Sequence, residues 1–190
     1  MHVYLKHFNW KLIIVLYLLI YSNSSVADFS INYAKSNLIN NIYLLNANIN
    51  YKLTETAKEA LHNGISLVLV LNITIQRDRA YLWDKTITKL KLKYEIKYLA
   101  LSRQYILKYL NTGITETFLS LSAVFNRLGK IKNYPLIDKH ITNTKANYWV
   151  YLKVSLDIES LPIVLRPIAY LSSSWHLNSD WYLCPLQARN

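Results

Sequence analysis

The sequence predicts an α+β fold: a curved antiparallel β-sheet of about six or seven strands packed against one main helix, with short helices beside it. Three observations carry that expectation. Segment after segment alternates apolar and polar residues with period two, as half-buried antiparallel strands do. One longer stretch, residues 115–128, repeats its apolar residues with a helical period instead. The 16 tyrosines and 5 tryptophans supply large amphipathic side chains, which suit a core between sheet and helix.

In chain order, residues 29–34 (FSINYA) alternate weakly and read as a first strand. Residues 43–51 (YLLNANINY) alternate cleanly, with Leu45, Ala47, Ile49 and Tyr51 on one side and Asn46, Asn48 and Asn50 on the other. TETAKEALHNG reads as a short helix with Thr54 as N-cap and Gly64 in the left-handed position after Asn63. Residues 65–76 (ISLVLVLNITIQ) start continuously apolar and end in alternation, so a central strand is expected whose far end is half exposed. RDRAYLWDK interrupts the apolar pattern. Residues 90–98 then point Leu90, Leu92, Tyr94, Ile96 and Tyr98 inward and Lys91, Lys93, Glu95 and Lys97 outward. A turn near Ala100 to Ser102 leads to RQYILKYL as the partner strand, and Gly113 breaks the chain.

The main helix is expected over residues 115–128, where Phe118, Leu121, Phe125 and Leu128 form a stripe with Val124 beside it and Gly129 as C-cap. A basic loop containing Tyr134 and Pro135 follows. Residues 148–158 return to strand, burying Tyr148, Val150, Leu152, Val154, Leu156 and Ile158. In the apolar stretch 159–184, Ser160 is the N-cap of a short helix with Pro162 in its first turn, and Pro167 kinks it. A last strand, residues 175–184, then lays Trp175 and Trp181 on the core. Arg166 interrupts Leu161–Leu171, which is too short to span a bilayer; membrane docking of that segment is the alternative to burial.

Residues 1–27 read as a signal peptide. Lys6 and Lys11 make a positive start, Leu12 to Ile20 is unbroken apolar sequence, and Ser25-Val26-Ala27 offers small residues for a cut after Ala27. The apolar run falls well short of the roughly 20 residues of a spanning helix. An exported, periplasmic protein is therefore expected, with an uncleaved leader tethering it to the inner membrane as the alternative. Residues 28–190 fit one α+β domain, and no integral membrane span is expected in it. The single cysteine, Cys184, excludes an internal disulfide, so the fold must rest on packing.

The net charge is +11, with 16 Lys against 6 Arg. A basic surface attracts anionic partners, although a Lys-, Asn- and Ile-rich composition is also what an AT-rich genome writes at exposed sites. No nucleic-acid motif is present, and nucleic acid is a poor partner for an exported protein. Three glycines, widely spaced, exclude a Walker loop, a nucleophile elbow and a dinucleotide fingerprint. His62, His140 and His176 do not pair at ligand spacing, so no metal site, no catalytic residue and no cofactor are assigned.

The polar group that stands out is Arg77, Arg79, Trp83 and Arg103. If the strand over 65–79 stays regular, Arg77 and Arg79 continue its inward parity and the apolar face ends in a basic rim able to hold an anionic headgroup or a carboxylate. An Arg–Asp network stacked on Trp83 would explain the same residues structurally. The outward row Lys89, Lys91, Lys93 and Lys97 suits a membrane surface and equally protects a sheet edge from aggregation.

The segments ALHNGISLVLVLNITIQRDRAYLWD, YEIKYLALSRQYIL, LPIVLR and WHLNSDW, taken in this order and spacing, resemble the bacterial exported proteins of the domain-of-unknown-function 4390 family. The resemblance covers nearly all of residues 28–186. It departs at Val164, near which the family pattern carries a second proline. It implies an exported protein of one domain and supplies no catalytic residue. The expected function is a non-enzymatic envelope module that binds a protein or an anionic lipid surface. The alternatives are a carrier of an apolar or lipid-like ligand between sheet and helix, and, third, an enzyme with a non-local site.

Overall fold

Period-two alternation organises nine antiparallel strands among the residues that the computed structural model describes, 29–79, 83–143 and 146–187. The leader expected over residues 1–27, and its cut after Ala27, lie outside them. Strands β1 (Ser30–Ile39), β2 (Ile42–Asn50) and β7 (Lys130–Asp138) form one sheet in the order β1-β2-β7. Strands β3 (Leu67–Arg77), β4 (Lys85–Leu99), β5 (Gln104–Tyr109), β6 (Thr115–Phe118), β8 (Tyr148–Leu156) and β9 (Tyr182–Pro185) form a second in the order β6-β5-β4-β3-β8-β9. The single curved sheet expected from sequence is thus two.

Local chemistry sets the connections. Asn40 and Asn41 both take positive φ, 49° and 62°, between paired Ile39 and Ile42, and such a tight turn matches the twist of a hairpin. Helix α1 (Glu55–His62) starts where Thr54 accepts a hydrogen bond from the Ala57 N–H. It ends at Asn63, with Gly64 at φ 86° as expected of a left-handed C′ residue.

The sheets meet along β1 and β9. The buried Ser36 hydroxyl donates to the Pro185 carbonyl and accepts from the Gln187 N–H, each at 2.9 Å. Their inner faces share one apolar cluster, in which Leu45, Leu69, Leu71, Ile96, Leu107 and Leu152 are buried. Helix α2 (Leu121–Leu128) packs on β5, β6 and β7 and so bridges both sheets on the other side. Phe125 stacks on Tyr51 at 5.8 Å, and Val124 and Leu128 are buried.

Four expectations need correction. The segment 115–128 is not one main helix. Thr115–Phe118 pairs with β5, Ser120 then caps the helix by accepting from the Ala123 N–H, and α2 has eight residues, as α1 does. The basic stretch around Tyr134-Pro135 is not a loop but edge strand β7, whose register shifts beside Pro135. An edge with bulges tolerates the missing N–H.

In the third, Ser160 caps no helix, because its hydroxyl donates back to the Asp157 carbonyl. Helix α3 (Arg166–Leu171) begins later, with Pro167 in its first turn and so not as a kink. The fourth concerns residues 175–184, which are not one continuous strand. Ser155 faces Asn178 and Val150 faces Cys184, so this side carries one residue more than β8. One extra residue flips every later side chain to the other face. Trp175 and Leu177 are buried, whereas Trp181 and Leu183 face out and Cys184 faces in.

Gly129 closes α2 in right-handed geometry, φ −67°, so turn conformation does not explain it. A Cβ there would lie 2.3 Å from the Ile49 carbonyl oxygen, where β2 crosses close enough for the Ile49 N–H to bond the Gly129 carbonyl at 2.8 Å. Gly129→Ala is expected to cost about 1–3 kcal/mol, the usual range for overpacking against a rigid neighbour. Urea unfolding measures it, and an unchanged midpoint would contradict the close approach.

Candidate functional site

The outward residues of the six-stranded sheet build the site. Three open grooves follow the outer side of β3 in sequence, from Ser66 to Gln76, a run of roughly 33 Å. The first, about 640 Å³, lies between Ser66, Glu95, Leu161 and Arg166. The second, about 190 Å³, is lined by Val70, Asn72, Lys91, Asp157 and Tyr170. The third, about 430 Å³, is lined by Thr74, Gln76, Thr86, Lys89, Tyr151 and Trp181.

The segment after β8 shapes the first two. It folds back over β3, with the Asp157 N–H donating to the Val68 carbonyl at 2.8 Å. Val68 and Val70 point outward yet are buried beneath it. Lys93, opposite Val70, reaches diagonally to Asp157, Nζ to Oδ2 2.9 Å. Leu161 and Ala169 of the returning segment are buried, but Ile163, Val164 and Leu171 are 76, 79 and 89% exposed. Tyr170 hydrogen-bonds Glu159, which also pairs with Arg166 at 3.7 Å.

The lysines divide by role. Lys93 is neutralised by Asp157. Lys89 and Lys91 are exposed and make no ion pair among the described residues. Lys153, on the neighbouring strand β8, holds its ammonium 5.7 Å from the centre of the Trp181 ring. The outer face is therefore cationic along its upper half and flanked by aromatic rings.

The residues singled out in the sequence divide as well. Arg77 ends β3 opposite Lys85 and Tyr148, half-buried as its inward parity requires. Arg79 lies two residues on, its Nε buried and without a partner among the described residues. Trp83 stands 92% exposed in the same hairpin. Arg103 is not with them. It sits at φ 52° in the β4–β5 turn, at the opposite end of β4, whose 15 residues span roughly 45 Å. Tyr151 and Trp181 escaped sequence reading. Tyr151 has outward parity in β8, which was legible, but Trp181 is outward only because of the extra residue before β9.

Among the described residues, no acid–base constellation gathers around His62, His140 or His176. His62 meets the Tyr105 hydroxyl at 2.7 Å at the end of α1, and His140 and His176 are exposed. Among the described residues no group of three or more His, Cys, Asp or Glu is placed to hold a metal ion. Burial pushes the Cys184 thiol up to about 11, which makes it a packing residue and a poor nucleophile.

A second polar set lies inside, beneath α2. Tyr94 meets Tyr109 edge-on at 5.5 Å, and the Arg127 guanidinium lies 5.7 Å from the Tyr109 ring while forking onto Glu116 at 3.0 Å. The hydroxyl of Tyr51 is buried without a partner among the described residues, and that of Tyr109 lies beside the Glu116 carboxylate. Burial raises the pKa of Tyr51, Tyr94 and Tyr109, the last to about 12.

A family model described as Domain of unknown function (DUF4390) matches residues 26–185. No curated protein and no solved structure matches the chain.

The raised phenols carry a pH signature. Each holds its proton more tightly folded than unfolded, so their contribution to stability is complete below the ordinary value of 10.0. That of Tyr109 is lost as pH rises through its folded value of about 12, and those of Tyr51 and Tyr94 at higher pH still. Phenolate absorbance is expected to rise in two steps, exposed tyrosines first and the buried set together with loss of near-UV circular dichroism. A single smooth titration near the ordinary value would contradict this burial.

Proposed function

The chain belongs to the family of the domain of unknown function 4390, and from there we propose that it is an exported, non-enzymatic envelope module docking on an anionic membrane surface. The outer face of the six-stranded sheet would make the contact. One observation carries this reading: the unpaired lysines and the exposed apolar residues share a side. Lys91 and Tyr170 line the same groove, and Tyr170 lies in α3 with exposed Ile168 and Leu171.

The magnitudes fit a reversible contact. A lysine near an anionic leaflet contributes about 1 kcal/mol, and a fully buried large aliphatic side chain about 1.5–3 kcal/mol. Two or three lysines with partial insertion of Ile163, Val164, Ile168 and Leu171 suffice without a spanning element. No described helix is long and apolar enough to cross a membrane. Export is supported by the composition of residues 1–27, with its cationic start, apolar run and small residues before Asp28. The carrier reading has less support, since the three grooves open outward and the space between α2 and the sheets holds Val124, Leu128 and Tyr51.

Flotation of the protein, purified from an exporting cell, tests the proposal. Vesicles of phosphatidylcholine with a third of an anionic lipid are expected to carry it at low salt and to release it as ionic strength rises. Lys89→Glu with Lys91→Glu should weaken binding tenfold or more, and Ile163→Asp with Leu171→Asp by a similar factor. Absence of binding, or binding indifferent to both pairs, overturns it.

A further inference from the structure

Resting on that docking reading, we propose that the groove of Thr74, Gln76, Thr86, Lys89, Tyr151 and Trp181 is a headgroup site selective for a phospholipid with a polyol headgroup. Two cross-strand rows make its floor. Tyr151 faces Thr74, which faces Lys89; Trp149 faces Gln76, which faces Thr86. The register of β3 against β4 shifts between Ile75 and Gln76, inside the site. Bulges recur where a sheet re-aims side chains toward a ligand. The groove, about 430 Å³, is of the size that holds small ligands.

The lining chemistry selects the occupant. A phosphodiester needs cations, and Lys89 lines the groove with Lys153 beside the Trp181 ring. A bare phosphate would need nothing more. Two threonine hydroxyls and a glutamine amide, side by side on the floor, both donate and accept, which suits hydroxyl groups. Among the described residues no carboxylate lines this groove, and the Trp181 ring already faces the Lys153 ammonium. The ammonium of an ethanolamine, choline or serine headgroup would be repelled by both lysines, and the serine carboxylate that they would attract is held on the same carbon as its ammonium. Exposed Trp181 and half-buried Tyr151 are the amphipathic rings that settle at headgroup depth.

Phosphatidylglycerol is the probe. Vesicles containing equal fractions of phosphatidylglycerol or phosphatidylserine carry the same net charge per anionic lipid. Flotation of the protein is expected to be about fivefold or more tighter on phosphatidylglycerol, and soluble glycerophosphoglycerol should remove that preference. Thr74→Val and Gln76→Ala should each bring phosphatidylglycerol binding down toward the phosphatidylserine level and leave phosphatidylserine binding unchanged. Equal binding to both lipids in the native protein overturns the headgroup site and leaves the docking face standing. Binding to neither overturns the docking face itself. A variant that loses both lipids equally assigns Thr74 and Gln76 to the fold and counts against the site.

Discussion

Five consecutive apolar residues, Leu67 to Leu71, must be kept from water on both sides of one strand, and the rest of the fold answers that demand. All five are buried. At about 1.5–3 kcal/mol for each large side chain sequestered, β3 is worth more covered than any neighbour. Leu67, Leu69 and Leu71 turn toward the core that both sheets share. Val68 and Val70 turn the other way, and among the described residues the segment that returns after β8 covers them. The Asp157 N–H bond to Val68 and the Lys93–Asp157 ion pair hold it there.

That cover has two sides, and this makes the outer face unusual. A segment rich in Leu, Ile and Val, whose short helix starts only at Arg166 with Pro167 in its first turn, buries Leu161 and Ala169 and turns Ile163, Val164 and Leu171 outward. Exposed apolar residues grouped in this way mark contact sites more often than accidents of composition. Beyond the cover, β3 resumes alternation at Asn72, and the open half of the same face collects lysines and aromatic rings from β4, β8 and β9. One chain segment thus shields β3 with one side and presents apolar residues on the other.

Much of this was readable beforehand, and the failures have physical causes. The parity of residues 43–51, 90–98 and 148–156 needed nothing beyond alternation, and the caps at Thr54 and Gly64 followed from local hydrogen bonding. The continuous run at Leu67 signalled a strand buried twice, though not what would cover it. Sequence reading failed where tertiary context overrides period. Thr115 to Phe118 pairs with β5 although its apolar residues also fit a helix, and Pro135 sits in a strand because an edge forgives a missing donor. Arg77 and Arg103 were grouped by charge, and the 15 residues of β4 stand between them. Trp181 was misassigned because a single extra residue before β9, invisible in a list of letters, exchanges the two faces.

The seam at Ser36 has a consequence for how the chain is made. Its partners, Pro185 and Gln187, lie 149 and 151 residues away in sequence, so this seam, unlike the bridge that α2 makes on the other side, cannot close until β9 is present. Contacts this distant slow folding, since loop closure precedes its reward. A clasp that β9 must fasten leaves this seam open while everything between Ser36 and Pro185 is made.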